Sequence, residues 1–227
     1  MSRLRSAVGI GFLLAGLVVL RSAEANILCK WFGRCLYESP GFRITVVDKE
    51  TGQPLADVHG LAEWQNYAMW GRNGPLMVQD DMSGPDGLLA FPAWGPIHGY
   101  RDGLILNHDP VVSLFEPGYR TLMITNAYPE GTEETTRFRP FGQDGQTFAL
   151  EPFRGNPGQW VEELKQAAFA RAAPISDEQR LQFRGPYLNR LRRVWAERDK
   201  APEPYRSERG VFWVVEGLMR FLEEGHR

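Results

Sequence analysis

The chain has 227 residues, 43% of them hydrophobic and 24% charged, which is material for a real core and excludes wholesale disorder. Its formal charge of -2 gives no field that would recruit nucleic acid. The length suits one large domain or two small ones.

The N-terminus reads as a targeting segment. Arg3 and Arg5 precede an apolar run from Ala7 to Leu20, and Ala23-Glu24-Ala25 follows as an Ala-x-Ala cleavage site. The run is 14 residues, about 21 Å as a helix, against roughly 30 Å of hydrocarbon. Residues 1–25 are therefore expected to be a signal peptide. The rival reading keeps residues 7–20 as an uncleaved anchor in the inner membrane, spanning a locally thinned bilayer. Either way the chain is exported, to the periplasm or beyond. Residues 26–40 carry both cysteines, Cys29 and Cys35. An even pair this close, in an oxidising compartment, is expected to close a small disulfide loop. No His or acidic residue lies between them to complete a metal site, and the spacing is not Cys-x-x-Cys.

Phe42, Ile44 and Val46 alternate with Arg43 and Thr45, the period of a half-buried strand. Asp48, Gly52 and Pro54 turn the chain, and a second strand can begin near Leu55. Residues 61–84 mix Trp64, Tyr67, Trp70 and three methionines with Asn, Gly and Pro. They read as a long connection with one short strand at Leu76–Gln79. Its aromatics would cap one end of a sandwich or line a ligand cleft. Asp86-Gly87 turns into a strand at Leu88–Phe91. Residues 93–109 read as a second irregular stretch. Strands follow at Val111–Phe115, Tyr119–Thr125 and Gln146–Leu150.

After Pro157 the period becomes helical. Trp160, Leu164, Ala167 and Ala168 share a face, and Ser176-Asp177-Glu178-Gln179 has the form of a capping box. Tyr187, Leu188, Leu191 and Val194 mark a further helix. Val211, Val214, Val215, Leu218 and Leu222 mark the last, with Ser207 as its expected cap.

Three stretches together resemble the carboxypeptidase regulatory-like domains. They are Ile44-Thr45-Val46-Val47-Asp48 through Thr51-Gly52-Gln53-Pro54-Leu55, then Asp86-Gly87-Leu88-Leu89-Ala90-Phe91-Pro92, then Phe115-Glu116-Pro117-Gly118-Tyr119. The resemblance covers residues 41–152 and implies a small transthyretin-like antiparallel β-sandwich. It also implies an accessory, non-catalytic role in binding, spacing or assembly. The expected architecture is α+β: that sandwich at 41–152, followed by about three helices in a region spanning 153–227.

Candidate chemistry is sparse. His98, Asp102, His108 and Asp109 form the best local cluster for a divalent metal, but no His-Glu-x-x-His is present. Ser113 lacks a nucleophile elbow. Asp80, Asp81 and Asp86 do not fit a calcium loop. Arg184, Arg190, Arg192, Arg193, Arg198 and Lys200 read as a solvated helix face. The sequence thus points to a non-catalytic binding or assembly module with no cofactor. Trp64, Trp70, His98 and His108 are its candidate ligand-facing residues. Its expected partner is another envelope protein or a surface ligand, and neither nucleic acid nor, once cleaved, membrane. The alternatives are a metal-dependent hydrolase using His98 and His108, and a membrane-tethered structural subunit.

Overall fold

The computed structural model describes residues 36–68, 71–98, 109–127, 140–169, 176–206 and 210–225, with the backbone alone at 67, 68 and 71–73. Residues 1–25, Cys29 and Cys35 lie outside the described residues, as do Trp70, Asp102, His108 and Ser207. Among the described residues nine strands come first: β1 (Leu36–Ser39), β2 (Phe42–Asp48), β3 (His59–Ala68), β4 (Gly71–Met82), β5 (Leu88–Phe91), β6 (Trp94–His98), β7 (Val111–Phe115), β8 (Leu122–Thr125) and β9 (Thr147–Leu150). The helices are α1 (Pro157–Phe169), α2 (Asp177–Gln182), α3 (Arg184–Ala196), the short α4 (Glu203–Arg206) and α5 (Val211–Glu224). A 3-10 turn at Arg198–Lys200 follows α3. No helix among the described residues is long and apolar enough to cross a membrane.

The chain is α+β, and its strand half is a sandwich of two sheets ordered β5-β2-β9 and β4-β3-β7-β8. The alternation in β2 does what its period predicts. Phe42, Ile44 and Val46 are buried, while Arg43 is exposed. They meet Ala62, Trp64, Leu76, Leu89, Phe91, Val112, Leu114, Ile124 and Leu150 in one apolar core that draws on both sheets. The turn after β2 is tied to the opposite sheet by one side chain. Asp48 accepts from the backbone of Glu50 and Thr51 and from the Thr51 hydroxyl, while its second oxygen accepts from Tyr119 Oη at 2.9 Å. These bonds, the Thr51 amide first, hold its carboxyl below the usual value.

Four expectations need correction. Residues 61–84 are not a loop: β3 and β4 pair over ten registers as the longest hairpin among the described residues. Residues 94–98 form β6, which pairs with β1 in a separate two-stranded ribbon. The sandwich is not antiparallel throughout, because β9 runs parallel to β2 from Thr45↔Thr147 to Asp48↔Leu150. The last helix begins at Val211 behind Gly210, so Ser207 is not its cap. Among the described residues the helical region holds three helices of 13 or 14 residues and two short ones.

The β4-β3-β7-β8 sheet is covered on its second face by the helices, which makes three layers. Helix α2 begins at the expected capping box: Ser176 Oγ accepts from Gln179 N, and Gln179 Oε1 accepts from Ser176 N, each at 3.2 Å. The same Gln179 amide lies against Gly74 of β4, within 2.3–2.5 Å of where a Cβ would stand. A bare backbone there lets the helix start rest on the strand. At the sandwich's flank, β4 and β5 belong to different sheets but are joined by side chains. Asp81 accepts from Ala90 N at 2.7 Å, and Gln79 Nε2 donates to Pro92 O at 3.1 Å.

Gly87 closes the turn into β5 with φ +71°, and an added Cβ would sit 2.3 Å from Val46 O. Gly52 shares the conformation (φ +70°) but has open space around it. Gly87→Ala is expected to lose about 2–4 kcal/mol in urea denaturation, and Gly52→Ala about 1 kcal/mol. Equal losses would mean that the backbone clash at Gly87 relaxes freely.

Candidate functional site

Strand β3 organises two buried polar clusters. The first lies between the sheet and the helices. Arg190 of α3 is 1% exposed, and its guanidinium reaches three other elements. Nε donates to His59 Nδ1 at 2.8 Å. Nη2 donates to His59 O at 3.0 Å and to Ser113 O at 2.8 Å. Nη1 donates to Ala167 O at 3.2 Å, and the Phe115 ring lies 5.7 Å beneath. On its far side, His59 Nε2 bonds Asp80 Oδ2 at 3.0 Å, and Asn189 Nδ2 donates to the same oxygen at 2.9 Å. Tyr187 Oη donates to the buried Glu63 at 3.0 Å.

Chemistry fixes the tautomer. Arginine can only donate, so His59 Nδ1 is the acceptor and the ring proton sits on Nε2, facing Asp80. Burial pushes the imidazole down to about 4, and the Arg190 charge beside it adds to the effect. The ring is therefore neutral at pH 7, and its contact with Asp80 is a hydrogen bond rather than an ion pair. Burial alone would raise the Asp80 carboxyl, but bonds from His59 and Asn189 hold it below its usual value. Burial pulls Arg190 down to about 9, and Glu63 and Asp80 counter it, so the guanidinium stays charged at neutral pH.

A His beside an Asp, with Ser113 on the neighbouring strand, superficially suggests a hydrolase. The geometry denies it. The basic lone pair of His59 is occupied by Arg190, and His59 and Ser113 are buried. A general base needs a free nitrogen within reach of substrate. This cluster is a clasp that fixes helices to a sheet.

The second cluster lies where β3 outruns β7. Glu63↔Val111 is the last pair of that ladder, after which Gln65 N donates to Asp109 Oδ2 at 3.2 Å. Here four buried side chains find no hydrogen-bond partner among the described residues: Trp64 and Trp94 at Nε1, and Gln65 and Asn66 at both amide atoms. The two indoles meet edge-on at 5.3 Å. Trp64 also packs 6.2 Å from Phe42, which lies against Phe91 and Phe141 at 4.7 and 4.4 Å. Phe42 and Phe91 in turn line a surface groove of about 560 Å³, completed by Gly41, Arg43, Ala90, Pro92 and Asp144. Nearby Asn126 shows the ordinary state of a buried amide, since it bonds Asp109 O, Pro140 O and Gly142 N. Each unmet buried group costs about 1–3 kcal/mol. Several together reach the order of a whole domain's stability.

The residues singled out from sequence scatter. Trp64 is fully buried in the core and faces no solvent cleft, although its indole N–H belongs to the second cluster. His98 ends β6, exposed and opposite Leu36. Trp70 and His108 lie outside the described residues. Arg190 is no part of a solvated face. Asp80, Asp81 and Asp86 serve separate places: Asp80 bonds His59 and Asn189, Asp81 accepts from Ala90 N, and Asp86 accepts from Leu88 N. Among the described residues no three His, Cys, Asp or Glu side chains converge on a metal site. Sequence reasoning missed His59, Glu63, Gln65, Asn66 and Arg190.

No family model matches the chain, and no curated protein sequence matches it. Among solved structures, 3-chlorocatechol 1,2-dioxygenase from Rhodococcus opacus 1CP superposes with a TM-score of 0.32 at 16% identity, over 54% of this chain and 62% of that one. A 9R-lipoxygenase from Cyanothece PCC8801 superposes with a TM-score of 0.23 at 11% identity, over 85% of this chain and 25% of that one. This chain spans less than two thirds of either enzyme, and overlaps this loose fix neither a family nor an activity.

Arg190→Met removes the four guanidinium bonds of the clasp, to His59 Nδ1 and to the carbonyls of His59, Ser113 and Ala167. A loss of about 3–5 kcal/mol is expected in urea denaturation. Arg192→Met, a neighbour exposed beside Glu223, is expected to change stability by less than about 1 kcal/mol.

Proposed function

We propose that this protein is an exported, non-catalytic binding module built on a carboxypeptidase regulatory-like sandwich. Its site is marked by Trp64, Asn66 and Trp94 on the sandwich side of β3, and Gln65 lies on the strand's other side. The single observation behind this reading is that Trp64, Asn66 and Trp94, all buried, have donors and acceptors unmet among the described residues, beside the aromatic side chains of the sandwich core. A sequence selected for folding alone would fill such positions with apolar residues. Polar groups that violate the folding rules mark places where function overrides them. Two indole N–H donors and one neutral amide suit an uncharged ligand rich in hydroxyl or amide groups. The signal-like N-terminus supports a ligand or partner in the envelope, and the ordered motifs of residues 41–152 support the accessory role.

The discriminating variant is Asn66→Leu. Replacing orphaned amide atoms by an apolar side chain of similar size is expected to raise stability by about 1–2 kcal/mol. The same change is expected to abolish affinity capture by the tagged mature chain from its native envelope extract. A destabilised variant with undiminished capture would show that the amide is architectural and the proposal wrong.

A further inference from the structure

The sandwich and the helices are two apolar cores joined by a polar seam. The helical core consists of Val161, Leu164, Ala167, Leu191, Val194, Val211, Phe212, Val215 and Leu222 with few additions, and the sheet gives it one buried residue, Phe115. A second, small apolar contact joins Leu61 and Val78 to Phe183. Between these contacts lie His59, Glu63, Asp80, Arg190 and Tyr187. Such a seam has little hydrophobic adhesion, and its integrity depends on protonation states.

We propose that this seam is an acid-released latch: a proton taken up at His59 Nδ1 breaks the Arg190 bond and frees the helical layer from the sheet while each core stays folded. The geometry leaves the proton no place in the latched state. Arg190 Nε–H points at Nδ1 from 2.8 Å, so a protonated ring would set two donors and two positive charges against each other in a buried site. The charged groups around the ring are Asp80 from β4, Glu63 from β3 itself, and Arg190 and Arg193 from α3. Sheet strand β7 and helix α1 offer Arg190 only carbonyl oxygens, those of Ser113 and Ala167. Asp80 and Glu63 are the carboxylates that favour an imidazolium, and Asp80, the one bonded to the ring, already accepts the Nε2 proton.

The sign follows from linkage. His59 moves from its ordinary 6.5 to about 4 in the latched state. The released state therefore binds the extra proton at a higher pH. Latching is fully favoured above pH 6.5 and is lost as pH falls towards 4. The depressed Asp80 carboxyl acts in the same direction.

The experiment is backbone hydrogen exchange of the full chain between pH 7 and 3.5, paired with an NMR titration of the His59 ring nitrogens. Intrinsic exchange rates are corrected for pH. At neutral pH, Nδ1 is expected to be the unprotonated nitrogen. As pH falls, amides at the sheet–helix seam are expected to lose protection at least tenfold before those of β2 and β7 do. That loss and the His59 titration should share one midpoint between pH 4 and 6.5. His59→Gln presents a carbonyl to Arg190 and an N–H to Asp80 without titrating, and is expected to remove the acid step. If that variant does not fold, the coincidence of midpoints in the native chain decides. Separate midpoints, a simultaneous loss of protection in both cores, or an unchanged acid step in a folded His59→Gln would overturn the latch.

Discussion

The arrangement of this molecule depends on one buried guanidinium. Arg190 enters from α3, binds the β3 backbone and the His59 ring, reaches the β7 backbone, and closes on the carbonyl that α1 presents at Ala167. The helices form through their own amphipathic faces. Among the contacts that place them on the sheet, beside Tyr187–Glu63, Asn189–Asp80 and Arg193–Glu116, the Arg190 contact reaches two strands and a second helix at once. A buried charge carries a large desolvation cost, and apolar residues of equal volume could hold such an interface at least as firmly. What the charge adds is orientation: planar donors aimed at oxygens on separate strands and a helix accept one docking geometry.

Strand β3 joins that clasp to the amide–indole cluster. Its first residue, His59, engages the helices, and Trp64, Gln65 and Asn66 lie beyond the end of the β7 ladder. Between them Leu61 packs towards the helices, while Ala62 and Trp64 pack into the sandwich. A strand held on both faces is a stiff support. It keeps the side-chain amides of Gln65 and Asn66 in position when an isolated loop would turn them towards water.

The same double covering explains which parts of the fold were legible in the sequence. Strand β2 has one buried face, so its period was plain, as were the turn at Asp86-Gly87 and the capping box at Ser176–Gln179. In β3, His59, Leu61, Glu63 and Gln65 are as buried as Ala62, Trp64 and Asn66. Alternation disappears from a strand with two buried faces, and the hairpin read as a loop. The parallel pairing of β9 with β2 depends on a return over the whole sandwich, which no local pattern encodes. Arg190 is indistinguishable from its neighbours Arg192 and Arg193 in composition, and only the docked sheet makes it interior. A polar pair such as Gln65-Asn66 beside a tryptophan was the available signal for the candidate site, but it has meaning only once the strand is known to be enclosed.

The side chains that link β4 to β5 have a consequence beyond holding the flank together. A sheet margin normally offers free amides on which a neighbouring molecule can lay down another strand. At Ala90 that amide is already engaged by the Asp81 carboxylate, and Gln79 occupies the carbonyl of Pro92. An intruding chain would have to displace a charge-assisted bond and confront a carboxylate at its own backbone. This margin is therefore closed to templated stacking of one copy on the next, a protection against fibril growth in a protein otherwise rich in short strands.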